Sequence, residues 1–142
     1  MTKFGVLMPD VQEIVKAIAR RDNAQVLPTG ETAANLLGLS TQVPMNYVYL
    51  TSGSARKIMV GKKTVTFKRC VPKNFACQNE FLAVLIQAMK AIGQERLTDG
   101  HCVVIKGLLM KHLPIESLDA DMKNAPLWVR RMVYNIIKEI GV

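Results

Sequence analysis

An α+β fold, in which a small, mainly antiparallel sheet of three to four strands carries a basic hairpin and packs against several helices, follows from three features of the sequence. Apolar residues recur at helical spacing near both ends, the middle of the chain is rich in β-branched and aromatic residues, and Gly61-Lys62-Lys63 interrupts that middle stretch as a hairpin turn would. The chain has 142 residues, of which 49% are apolar and 21% charged, so it can bury a core and is not intrinsically disordered. A single domain over residues 1–142 is expected.

The elements follow in order. Asp10 and Glu13 have the spacing of a capping box, and Val11, Ile14, Val15, Ile18 and Ala19 then mark one apolar face, predicting a helix from about Pro9 to Arg21. Asp22-Asn23 breaks the period. Gln25 to Leu27 suits a short strand, Pro28-Thr29-Gly30 turns the chain, and a second helix is expected over about Glu31 to Leu37 with Gly38 as its stop. Tyr47 to Thr51 reads as a strand closed by Ser52-Gly53-Ser54. Lys57 to Val60 and Thr64 to Arg69 read as two further strands joined by a Gly-led turn, of II′ type or three residues long, and the three are expected to pair antiparallel. On the last strand Val65 and Phe67 point one way, and Thr64, Thr66 and Lys68 the other, so one face can meet the core and the other water or a partner.

From Gln78 to Ile92 apolar residues leave little polar surface, which predicts a central helix stopping at Gly93. Thr98-Asp99 can cap a helix carrying Ile105, Leu108, Leu109 and Leu113, although Cys102 to Ile105 alone would pass for a strand. Pro126 suits a first helical turn, and Val129, Met132, Val133, Ile136, Ile137 and Ile140 form a stripe that ends at Gly141. Trp128 and Tyr134 read as aromatics of the core and its rim rather than as base-stacking platforms.

Composition limits the function classes. The apolar stretch Phe81 to Ile92 is too short to span a bilayer and Met1 to Met8 holds no signal-peptide core, so neither membrane insertion nor export is expected. Cys70, Cys77 and Cys102 are odd in number and suit free thiols in a reducing cytoplasm. Nineteen Lys and Arg against eleven Asp and Glu give a net charge of +8, which favours polyanions or acidic proteins as partners. No acidic residue occurs between Glu31 and Glu80, whereas Arg56, Lys57, Lys62, Lys63, Lys68, Arg69 and Lys73 all fall there. This basic hairpin is the candidate nucleic-acid surface; seven phosphate contacts would give a salt slope of about −6 as an upper bound. The alternative is a solvated edge hairpin whose lysines block aggregation. Asn35, Ser40, Thr41 and Gln42 gather around one helix-turn and are candidate partner contacts, or else satisfy local backbone groups.

Catalytic signatures are weak. Gly61-Lys62-Lys63-Thr64 falls short of a P-loop, since Lys63 stands where Ser or Thr is needed and the first glycine would fall at Arg56. The strands supply no carboxylates for metal-dependent nuclease or phosphotransfer chemistry, and no Cys pair has zinc-site spacing, so no catalytic residue, metal or cofactor is expected. Asp119 and Asp121 read as surface or capping residues, and Glu80 as a first-turn helix acid.

The strings Leu27-Pro28-Thr29-Gly30, Leu37-Gly38-Leu39-Ser40-Thr41-Gln42-Val43-Pro44 and Val48-Tyr49-Leu50-Thr51-Ser52-Gly53, with the hairpin from Lys57-Ile58 to Lys68, resemble the AbiEi-type antitoxin family, the transcriptional regulators of type IV abortive-infection toxin–antitoxin systems. The resemblance runs from Phe4-Gly5-Val6 to Ala125-Pro126-Leu127-Trp128. It implies an antitoxin domain that acts against a nucleotidyltransferase-like toxin, without a catalytic residue. Members of that family carry an N-terminal winged helix-turn-helix, and Met1 to Gly5 sits where its wing would have ended. The expectation is therefore a C-terminal antitoxin domain lacking the winged helix. Two other readings stand beside it: a metal-independent enzyme on nucleic acid or nucleotides using His101, His112 and lysines, and a pure protein-interaction module.

Overall fold

The N-terminal amphipathic pattern forms α1 (Met8–Asp22) in a computed structural model that describes residues 8–40, 45–70 and 75–141. Because α1 is already helical at Met8, Asp10 stands inside its first turn rather than capping it. Strand β1 (Val26–Pro28) leads into α2 (Gly30–Leu36). The Thr29 hydroxyl at the head of α2 makes no cap bond and instead donates to Gln87 Oε1 at 3.0 Å. Beyond the end of β1, Thr32 Oγ1 accepts the N–H of Val48 at 2.9 Å, so α2 continues the pairing of the next strand with a side chain. Gly38, at φ +79°, provides the expected stop.

Strands β2 (Asn46–Thr51), β3 (Arg56–Val60) and β4 (Lys63–Arg69) complete a four-stranded mixed sheet of order β1-β2-β4-β3. The expected hairpin is present: β3 and β4 pair antiparallel across Gly61-Lys62, and only Gly61 of that pair has positive φ, as a II′-type turn requires. The expectation of three antiparallel strands is corrected at one place, because β2 pairs with β4 in parallel. The chain leaves β2, takes the outer position as β3, and returns through the gap as β4. Burial accounts for this order. Val65 and Phe67 are the fully buried side chains of the hairpin and β4 lies between two neighbours, while β3, with exposed Lys57 and Met59, takes the edge.

Alternation then divides the sheet. Tyr47, Tyr49, Val65 and Phe67 face α1 and pack with Val11 and Val15 into one apolar cluster; the Tyr49 and Phe67 rings stack with centroids 6.1 Å apart. Each such buried side chain contributes about 1.5–3 kcal/mol. A second cluster is helical. It is built on α3 (Glu80–Ile92), whose Leu82, Leu85, Ile86 and Met89 are buried, with Ala33 and Ala34 of α2 on one side. A 3₁₀ turn (Gln94–Arg96) follows Gly93, and α4 (Asp99–His112) contributes Ile105 and Leu109, so Cys102 to Ile105 is helical. Short α5 (Leu118–Met122) and α6 (Leu127–Ile140) close it through Met122, Val129 and Val133, with Trp128 and Tyr134 half-buried at its margin.

Candidate nucleic-acid interface

Strand alternation sets where the hairpin's cations go. Arg56 pairs with Phe67 and Lys63 with Val60, so Arg56 and Lys63 share the face that meets α1, as does Arg69 by parity. Arg56 donates from Nη2 to Asp22 at the end of α1 at 2.9 Å. The Lys63 ammonium lies 5.7 Å from the centre of the buried Tyr47 ring, a cation–π contact. Lys57 and Lys68 point to the opposite face: Lys57 sits across from Thr66, hence diagonal to Lys68, and both are exposed. Lys62 occupies the exposed turn and Arg69 the exposed end of β4, while Lys73 lies outside the described residues. The described cations of the hairpin are thus divided between two faces, as any basic run on a strand must be.

The open face carries Lys57, Met59, Thr64, Thr66, Lys68 and Asn46. Thr66 donates to Asn46 Oδ1 at 3.1 Å, and the Thr64 hydroxyl lies 3.4 Å from the Met59 sulfur. No described strand residue contributes a carboxylate. Asn46, Thr64 and Thr66 were not among the sequence candidates, although the parity of Thr64 and Thr66 with Lys68 was visible; Asn46 joins them only through the register of β2 on β4. At the β1 end the same face is closed, with Leu27 buried.

The second candidate cluster turns inward. Asn35 Nδ2 donates to the Ser40 carbonyl at 3.4 Å, and the Ser40 hydroxyl donates to Glu31. These bonds fold the end of α2 back on its own start and let Leu39 reach the helical core. Thr41 and Gln42 lie outside the described residues.

The titratable groups are likewise structural in their contacts. His101 completes a capping box, its Nδ1 accepting the N–H of Thr98 at 3.1 Å while Thr98 Oγ1 accepts the N–H of His101 at 3.2 Å. His112 stacks on Phe81, ring centroids 4.1 Å apart. The two histidines stand at opposite ends of α4, about 16 Å apart along the helix axis. Asp121, expected at the surface or as a cap, is buried, and its carboxylate accepts from Gln78 N, Asn79 N and Ser117 Oγ at 2.8, 2.9 and 2.8 Å. Burial first, and then the charge of Asp121, push the Cys77 thiol up. Among the described residues no group of three or more His, Cys, Asp or Glu could hold a metal ion, and no helix is long and apolar enough to cross a membrane.

No curated protein and no solved structure matches the chain. Residues 1–118 match a family of unknown function, DUF6088. That match covers most of the 142 residues, through α1, the sheet with its basic hairpin and the helices up to the start of α5, and the chain therefore belongs to the DUF6088 family.

Proposed function

We propose that this chain is a non-enzymatic antitoxin and transcriptional-regulator domain of a type IV toxin–antitoxin system, working in the cytoplasm against a nucleotidyltransferase-like toxin. The open face of its hairpin makes backbone contacts with nucleic acid. The observation that carries the nucleic-acid part is the diagonal placement of Lys57 and Lys68 on one carboxylate-free sheet face, flanked by the hydroxyls of Thr64 and Thr66, with Lys62 at the adjoining turn. Cations and hydroxyls on a β-ribbon are the groups that meet phosphate oxygens. The toxin part rests on the resemblance of the Leu37–Pro44 string and its neighbours to the AbiEi-type antitoxins. The separation of His101 from His112 favours recognition over acid–base catalysis between them.

Co-expression with a nucleotidyltransferase-like toxin encoded beside it tests the reading: rescue of growth supports it, and unrelieved toxicity overturns the antitoxin role. Titration with random duplex DNA at two salt concentrations tests the hairpin, where salt-insensitive binding or none at low salt overturns the nucleic-acid role. Rescue without DNA binding would point to a protein-interaction module.

A further inference from the structure

The face of the sheet that α1 covers is left open at its β1 end. Between α1 and the first turns of α3 lies a cavity of about 590 Å³ whose walls include Val15, Val26, Tyr49, Phe81 and Val84. It sits at the seam of the two apolar clusters, Tyr49 and Val15 belonging to one and Phe81 and Val84 to the other. Its size is in the range of small-molecule sites, about 300–1,000 Å³. The second observation concerns Tyr49, which is 4% exposed and lines this cavity, yet its hydroxyl has no hydrogen-bond partner among the described residues. That oxygen is therefore free to donate to a molecule held in the cavity.

The remaining walls specify that molecule. Phe81 and His112, stacked at an interplanar angle of 9°, both line the cavity. Lys16 places a positive charge at the mouth, and Glu80 a negative one. We propose that the cavity binds a small aromatic monocarboxylate, the Tyr49 hydroxyl donating to the carboxylate, Lys16 serving as its counter-ion and the ring lying along Phe81 and Val84. Glu80 at the rim disfavours a second carboxylate. Burial, and to a lesser degree the neighbouring Tyr47, push the Tyr49 phenol up to about 12, so it remains a donor throughout the neutral range. The site lies on the opposite side of the sheet from Lys57 and Lys68, so it is independent of the nucleic-acid reading.

The test is a calorimetric and thermal-shift titration of the intact chain with 2-naphthoate. Saturable binding is expected, weakened about tenfold by Tyr49→Phe, which keeps the ring stack on Phe67 but loses the donor. Val84→Trp, which fills the cavity, should abolish binding, and 2-naphthylmethylamine should bind at least tenfold more weakly. Circular dichroism verifies that each variant is folded; Val84→Phe substitutes if Val84→Trp is not. Absence of 2-naphthoate binding at millimolar concentration, equal affinity in the Tyr49→Phe variant, or equal affinity for the amine would each overturn the proposal.

Discussion

The carboxylate of Asp121 accepts the backbone N–H of Asn79 at 2.9 Å, tying α5 to the head of α3 across 42 residues of sequence. The same carboxylate accepts Gln78 N, and Asn79 in turn caps α3 by accepting the N–H of Leu82 at 3.0 Å. One side chain thus satisfies donors that would otherwise be stranded where the chain enters its central helix.

Removing that acceptor is expected to be costly. Asp121→Ala leaves two backbone donors and the Ser117 hydroxyl unpaired, and bonds to a charged acceptor contribute about 1.5–3 kcal/mol each. A net loss of about 3 kcal/mol corresponds to a fall in Tm of about 10 °C for a chain of this length. Asp121→Asn, which keeps one acceptor oxygen, should lose about half as much. Thermal unfolding followed by circular dichroism decides it; a Tm for Asp121→Ala within a degree of the parent would refute the clamp.

The contrast between Asp121 and the helices shows what the sequence could and could not reveal. Periodicity is local, so α1, α3 and α6 were legible from their own apolar stripes, and Gly38, Gly61 and Gly93 marked their turns correctly. Asp121 was not legible, because its partners at Gln78 and Asn79 are distant in sequence and its own neighbours resemble an exposed turn. The parallel pairing of β2 with β4 was hidden for a related reason: each strand was visible, but the order depends on which one gains most from two neighbours. The division of the hairpin's cations was readable in principle from alternation, whereas the pairing of Arg56 with Asp22 needed the position of α1.

The crossing from β2 to β3 gives a second prediction. Gly53 lies where the chain leaves β2, and a Cβ there would come within 3.1 Å of the Ala24 Cβ. Ala24 carries its Cβ directly on the backbone between α1 and β1, so it cannot swing aside. Gly53→Ala should therefore destabilise by about 1 kcal/mol, and Gly53→Val by more. A shifted urea midpoint with unchanged slope is expected; an unshifted midpoint would mean that the crossing yields freely.

Alkaline pH should weaken the fold through two tyrosines. Burial and the nearby Tyr47 push Tyr49 up to about 12, while partial burial, followed by the hydrogen bond to Asp119 and its charge, does the same for Tyr134. A phenol whose folded pKa exceeds its unfolded value binds its proton more tightly when folded. The resulting stability is fully present below pH 10 and is lost as the pH rises from about 10 to about 12. Ultraviolet titration of phenolate should show late ionisation, and Asp119→Asn should bring one tyrosine back toward the ordinary range. Ionisation of all tyrosines together near pH 10 in the folded protein would contradict this.

The hairpin provides the last prediction, because the two faces of the sheet assign its cations different work. Lys57, Lys62 and Lys68 are exposed and carry no described ion pair, so each is available to a phosphate. Three contacts correspond to a salt slope of about −3 in a log–log plot of DNA affinity, about half the limit for all seven cations. Replacing these three lysines with Gln should flatten the slope by about that amount and leave the melting temperature within about 1 °C of the parent. Arg56→Gln and Lys63→Gln should behave in the opposite way. The former breaks the ion pair with Asp22 and the latter the contact with Tyr47, each costing roughly 0.5–1 kcal/mol of stability. Their salt slopes should match the parent's. If the Arg56 and Lys63 variants flatten the slope while the triple variant does not, the nucleic acid meets the α1 side of the sheet instead, and the open face is only a lysine-protected edge.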